Sequence, residues 1–389
     1  MGLVRKLYRL LKAMAAVALF GYPAKNLKVV GVTGTDGKTT TVNIIYWILK
    51  KCGKKVSMIS TVGAILGKEK IDTGLHTTTP SPFALQHMLR KIKDRGSEFA
   101  VLEVSSHGLD QYRVLGSNFH TGVLTNITNE HLDYHKTYDN YLNAKSKLLT
   151  FSRFAVVNAD DKSFKKITKK ILPGNTKLFS YSDSGLTPQI NRVIKKRFSE
   201  PYNQMNAYAA VLAVKTISNL KDKDITEAIK TFPGVPGRMQ EIKNKKGIKL
   251  IVDFAHTPNG LENVLQVLKR NTKGKLIVVF GCAGERDYKK RPEMGKIATK
   301  IADLSVFTAE DPRHEQLIDI FKQMKSKLDN RKNYIEIEDR KEAIAYAINH
   351  AKKGDTVVVC GKGPEKSIAF GDTEIPWSDI EISRKIANE

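Results

Sequence analysis

Short apolar runs alternate with helix-length amphipathic segments along most of the chain. Lys28–Val32, Phe99–Val104, Gly122–Asn126 and Phe154–Asn158 read as buried strands, and helix-length spacers between such strands imply a parallel α/β sheet. A second series, Lys249–Phe254, Lys275–Phe280, Leu304–Thr308 and Asp355–Cys360, follows the stretch Phe232-Pro233-Gly234-Val235-Pro236-Gly237. That stretch is the expected boundary between a domain over residues 27–235 and another over 236–389. Lys162 to Arg197 carries the weakest pattern.

Before the first strand, Leu3, Leu7, Leu10, Leu11, Met14 and Ala18 recur at helical spacing, with Arg5, Lys6, Arg9 and Lys12 elsewhere on the wheel. Residues 1–26 therefore read as a basic amphipathic helix. The run Ala13–Phe20 is too short to span a bilayer, and no small-residue cleavage site follows it. Two readings stay open: docking onto the protein's own body, or interfacial attachment of residues 1–24 to a membrane.

Hydrophobic residues make up 41% of the 389 positions and charged residues 27%, which excludes disordered and collagen-like chains. The net charge of +25 is spread over every segment with no RNP, zinc-finger or helix-turn-helix pattern, so no nucleic-acid partner is expected. A basic surface still favours anionic ligands such as nucleotides, and the anionic inner face of a membrane. Cys52, Cys282 and Cys360 form no CxxC pair, which fits a reducing, cytoplasmic setting rather than a zinc site.

Directly after the first strand comes Gly31-Val32-Thr33-Gly34-Thr35-Asp36-Gly37-Lys38-Thr39-Thr40, then an apolar-periodic helix through Ile44, Ile45, Ile48 and Leu49. Strand, glycine-rich turn, lysine, hydroxyl and helix is the order a phosphate cradle requires. Backbone N–H groups close on phosphate oxygens, Lys38 neutralises the outer phosphates, and the Thr39 hydroxyl can ligate Mg²⁺. The fold class follows: α/β, with a P-loop ATPase domain on a mainly parallel sheet. One departure stands, since the strict pattern has glycine where Val32 lies.

Glu103 closes the second predicted strand, at the edge where parallel sheets bind ligands, and can hold Mg²⁺ opposite Thr39. The third strand ends in a polar cluster running from Asn126 to His135. His76, His107, His131 and His135, four of the nine histidines, fall in the stretch of 60 residues that ends with this cluster. Composition alone does not single out Lys145, one of 65 basic residues.

Thr33 to Thr40, Glu103 to Leu109, His131 to His135, Gly237-Arg238-Met239, Asp253 to Pro258 and Arg286 to Pro292 resemble, in order, motifs of the Mur ligases, and most closely the UDP-N-acetylmuramoyl-tripeptide synthetases. The resemblance runs from about Lys28 to Asp379 and implies a C-terminal Rossmann-like domain closing over ATP. It implies ATP binding by Gly34, Thr35, Asp36, Gly37, Lys38, Thr39 and Thr40, by Asn203 and Asn206 near the adenine, and by Arg238 and Asp253. Thr39, Glu103, His131 and a carbamylated Lys145 would lie at the Mg²⁺ ions, which the resemblance implies are two. Lys38, His131, Lys145 and Arg238 would be the catalytic set. Thr78, Thr79, Ser105, Gln111 and Arg113 match positions that hold the muramoyl dipeptide.

Arg286, Glu310, Asp311, Pro312, Arg313, Gly361 and Glu365 match the amino-acid acceptor site. Members that use meso-diaminopimelate carry Asp-Asn-Pro-Arg there, whose arginine grips the distal carboxylate. Arg313 is kept, which favours diaminopimelate over lysine. Asp311 replaces the asparagine, and Pro364 the usual histidine. The implied activity is an acyl-phosphate ligation of a third residue onto UDP-MurNAc-L-Ala-D-Glu by a monomer. Full-length members begin with a uridine-binding domain, whereas about 27 residues precede the ATPase strand here, so uridine recognition is expected elsewhere or not at all. Rival readings are a related ligase on a folate, glutamyl or lipid-linked carboxylate, and a membrane-docked ATP-binding module without ligase activity.

Overall fold

The computed structural model describes residues 3–71, 78–128, 130–328 and 333–389. The chain divides into two compact units at Pro233/Gly234, inside the Pro/Gly-rich stretch.

The first unit is built on eight strands: β1 (Lys28–Thr33), β2 (Val56–Ser60), β3 (Gly63–Leu66), β4 (Glu69–Ile71), β5 (Phe99–Glu103), β6 (Phe119–Leu124), β7 (Phe154–Asn158) and β8 (Lys177–Tyr181). Their order is β4-β3-β2-β5-β1-β6-β7-β8, parallel from β2 to β8, with β3 and β4 antiparallel at one edge. Val29, Val30 and Val32 of β1 are fully buried, as a central parallel strand covered on both faces must be. β1 lies between β5 and β6, so chain segments leave it in opposite directions. The crevice at its C-terminal end is the switch point where such sheets bind ligands.

Helices cover both faces. α1 (Leu3–Leu19) packs on α3 (Pro82–Asp94), while α2 (Lys38–Lys51) follows β1 and buries Ile44, Ile45, Ile48 and Leu49. α4 (Ser106–Asp110) and α5 (Leu132–His135) are short turns near the sheet's C-terminal edge, and α6 (Tyr138–Thr150) lies against β1 and β6. That close approach depends on Gly31, where a β-carbon would sit 2.7 Å from Leu148 Cδ1.

The second unit carries β9 (Gln240–Ile242), β10 (Lys249–Asp253), β11 (Leu276–Phe280), β12 (Leu304–Phe307), β13 (Tyr334–Glu336) and β14 (Thr356–Cys360) in the order β13-β12-β11-β14-β10-β9. All are parallel except β9, and a separate hairpin joins β15 (Ser367–Phe370) to β16 (Thr373–Pro376). Each strand expected from an apolar run is present, with ends shifted by a residue or a few. Among the described residues, no helix is long and apolar enough to cross a membrane.

Candidate active site

The loop after β1 explains its own departure from the strict phosphate-loop pattern. Val32 still belongs to β1, and the tight passage falls at Gly34, with φ 153° and room for no side chain: a β-carbon would lie 1.8 Å from Thr125 Oγ1. The end of β6 clamps the loop. Thr35 N donates to the Asn126 carbonyl (2.9 Å), Asp36 N to Asn126 Oδ1 (2.9 Å), and Thr125 Oγ1 to the Asp36 carbonyl (2.6 Å). From α6, the Tyr141 hydroxyl meets Thr35 Oγ1 at 3.2 Å. Gly37 has φ 82° and leads into α2, whose first-turn N–H groups are the donors an anion would use. Asn206 lies beside Gly37, a β-carbon there falling 2.1 Å from its Oδ1, and its Nδ2 donates to Asn203 Oδ1 at 3.3 Å.

Two lysines meet at this loop. Lys38 Nζ donates to the Gly34 and Thr35 carbonyls (3.0 and 2.7 Å), and Lys145 Nζ reaches the same Gly34 carbonyl at 2.6 Å. Lys145 is 1% exposed. Burial, then the neighbouring Lys38 charge, holds its ammonium well below the usual lysine range, against the opposing pull of Glu130 and Asp36.

Thr39 Oγ1 donates to Glu103 Oε1 (3.0 Å), and Thr61 N to Glu103 Oε2 (3.0 Å), fixing a buried carboxylate at the end of β5. His131 occupies left-handed backbone (φ 54°) and its ring lies 4.9 Å from that of His107. Partial burial, then the positive neighbours His107, Lys145 and Lys38, push His131 well below its ordinary value. Among the described residues, no three His, Cys, Asp or Glu side chains converge as a metal cage. Donors for a cation here are the hydroxyl of Thr39 and the carboxylate of Glu103, hard oxygens that suit Mg²⁺. Lys145 suits it only if its positive charge is removed.

Next to these groups lies a polar cluster. Thr79 Oγ1 contacts Ser105 Oγ (3.1 Å), while Arg113 donates to the Thr79 carbonyl (2.9 Å) and to Gln111 Oε1 (2.7 Å). Thr78 is half-buried beside Thr79. Ser105 also caps α4, accepting from Gly108 N at 3.0 Å. Tyr134 joins the group through Gln111 Nε2 (3.3 Å) and Asp110 Oδ2 (3.0 Å).

In the second unit, Arg238 stacks its guanidinium over Phe254 (4.3 Å), and Asp253 accepts from Met239 N (2.6 Å) and Ala255 N (2.8 Å). Most of the residues matched to an acceptor site stand just after β12 and β14, Glu310 to Arg313 after the first and Gly361 and Glu365 after the second. Fully buried Lys362 donates to Asp311 Oδ1 (2.8 Å) and pairs with Glu365 (2.5 Å). The charge that replaces asparagine at 311 is thus matched inside the protein. Arg313, at φ 50°, donates to the Gly284 carbonyl, and the Pro312 carbonyl crowds Gly284. Arg286 lies in the loop after β11.

Glu310 is buried beside Gly361, and its Oε2 has no hydrogen-bond partner among the described residues. Burial raises this carboxyl to about 7, with Lys290 opposing the rise. The folded state therefore holds a proton that the unfolded chain releases near 4.5, so stability is full below that pH and is lost as pH rises toward 7. Glu310→Gln should remove up to about 3 kcal/mol of this decline. Urea midpoints at pH 5 and pH 8 check it, and parallel pH slopes in the two proteins would refute it.

Sequence reasoning gave no individual role to Thr125, Asn126, Tyr141, Tyr134 or Lys362, although Asn126 and Tyr134 lay in the polar cluster it identified. The first two stand directly after an apolar strand, a recognisable signal, and Lys362 stands between the acceptor-matched Gly361 and Glu365.

Residues 32–220 match the Mur ligase middle domain, and residues 237–363 the glutamate ligase domain of the Mur ligases. The chain belongs to the Mur ligase family. It is 36% identical to the UDP-N-acetylmuramoyl-L-alanyl-D-glutamate–2,6-diaminopimelate ligase of Clostridium botulinum, over 97% of this chain and 82% of that one. A solved structure of a ligase of the same name matches with TM-score 0.60 at 30% identity, over 93% and 78% of the two chains. Escherichia coli FolC in complex with ADP shares the fold, with TM-score 0.70 at 19% identity over 91% and 90%.

Proposed function

We propose that the protein is an ATP-dependent ligase that adds an amino acid, meso-diaminopimelate, to UDP-MurNAc-L-Ala-D-Glu in the cytoplasm. The observation that carries this reading is the convergence of Lys38 and buried Lys145 on the Gly34 carbonyl, beside the Thr39–Glu103 pair. The named activity of relatives at 36% identity supports the same substrates.

In this reading the precursor carboxylate attacks the γ-phosphate of ATP, giving an acyl phosphate and ADP. The amine of the incoming amino acid then attacks the acyl carbon, and phosphate leaves. Both reactants in the first step are anions, so the residues' task is to screen and align charge. Lys38 and the start of α2 neutralise the phosphates; Thr79, Ser105, Gln111 and Arg113 hold the dipeptide. Arg238 would contact phosphate, and Asp253, Asn203 and Asn206 the nucleoside.

Thr39, Glu103 and carbamylated Lys145 would hold Mg²⁺, with His131 alongside. When bound, the cation supplies charge neutralisation at the transferred phosphoryl group. A buried, neutral amine is the form of lysine that adds CO₂, losing a proton to give an anionic carbamate. In the second unit, Arg313 would grip the distal carboxylate of diaminopimelate, and the open Oε2 of Glu310 would receive an ammonium group.

The test is phosphate release with ATP and Mg²⁺ on the muramoyl dipeptide plus diaminopimelate, plus lysine, and with each component omitted, with products weighed by mass spectrometry. Turnover that needs the dipeptide and diaminopimelate is expected. Turnover with lysine alone would overturn the acceptor assignment, and none with either would overturn the muramoyl substrate.

A further inference from the structure

The ligase reading leaves α1 unused, and α1 is oriented unexpectedly. Its inner face is made of Ala13 and Ala16, both buried, with Phe20 beyond the helix end packing on His87 of α3 at 5.5 Å between ring centres. Alanines permit the close approach of the two helices. Leu10 and Val17 are half-buried, but most of the larger apolar side chains point away from the protein: Val4 is 82% exposed, Leu7 54%, Leu11 55% and Met14 52%.

These four positions follow the helical repeat and form one continuous stripe. Seven of the fourteen exposed large apolar side chains among the described residues lie between Val4 and Tyr22, so the exposure is concentrated rather than scattered. The charges that α1 itself carries are of a single sign. Arg5, Lys6 and Lys12 are exposed beside it, and the first acidic residue of the chain is Asp36.

We propose that the outward face of α1 docks on an anionic lipid surface. An apolar stripe bordered by lysine and arginine is the arrangement that lies in a bilayer interface, with the side chains in the acyl boundary and the cations among the headgroups. Charge complementarity selects lipid over a second copy of the chain, because two such helices would bring cations against cations.

The inner face links this docking to the site. Arg9 donates to the Tyr134 hydroxyl (3.4 Å), and Tyr134 belongs to the Gln111–Arg113 cluster. A docked α1 would hold that cluster about one helix diameter, roughly 10 Å, from the lipid. The surface itself does not depend on the ligase reading.

The experiment is co-sedimentation of the full chain with vesicles of phosphatidylcholine alone or mixed with phosphatidylglycerol. Binding to the anionic vesicles is expected, weakening as salt screens the charges. The triple variant Leu7→Gln/Leu11→Gln/Met14→Gln should lower it at least tenfold with an unchanged thermal melt, since all three side chains are exposed. Absent binding to anionic vesicles, or equal binding by the variant, overturns the proposal. So does a dimer in light scattering that the same substitutions abolish, which would make a second copy the occupant.

Discussion

Lys38→Ala should lower ATP-dependent phosphate release by about a hundredfold or more, the scale on which removing one pre-aligned electrostatic group acts. Its Nζ is held 3.0 and 2.7 Å from two loop carbonyls, at the start of α2 and next to the Thr39–Glu103 pair. Alanine keeps the backbone and the helix while deleting the cation that the loop itself carries. The side chain is only partly buried and fills no core position, so the fold should survive, with a melting temperature close to that of the parent. Lys38→Arg should recover little, because a planar guanidinium cannot take the place of a compact ammonium between two carbonyls. Phosphate release and product mass, measured on both variants, check the result. Unimpaired ligation by Lys38→Ala would end the assignment of this loop to ATP.

The legibility of the sequence followed burial. β1, β10, β11 and β14 are nearly continuous apolar runs because parallel strands are covered on both faces. β8 alternates poorly and is largely exposed at the sheet edge, and β15 and β16 form a short hairpin, so neither left a usable pattern. At the site, the phosphate loop is local and was readable residue by residue. Lys145 lies 111 positions from the carbonyl it touches, and its burial arises from how α6 crosses β1. Only resemblance could pick it out, and Lys362, between the acceptor-matched Gly361 and Glu365, was passed over. α1 was legible as an amphipathic helix, but not in which stripe it would bury. Packing by Ala13 and Ala16 decided that, against the usual expectation for leucines.

Lys145→Ala should abolish ligation as fully as Lys38→Ala, for a different reason. In water an ammonium is the stable form of lysine, but here burial and the adjacent Lys38 charge disfavour it. The neutral amine that this environment favours is nucleophilic toward CO₂, and the carbamate would place an anionic oxygen where Lys38 and a cation at Thr39 and Glu103 can both neutralise it. Three outcomes follow. Carbon-13-labelled bicarbonate should give the parent protein a carbamate resonance that the variant lacks. Raising bicarbonate should not restore the variant, whose methyl side chain cannot be carbamylated. Formate or acetate, diffusing into the space vacated by the side chain, should restore part of the activity by supplying the missing oxygen anion. Full activity in Lys145→Ala would remove the carbamate from the mechanism. An inactive variant with no label in the parent would instead make Lys145 a cationic partner of the loop, and would leave Mg²⁺ to Thr39, Glu103 and water.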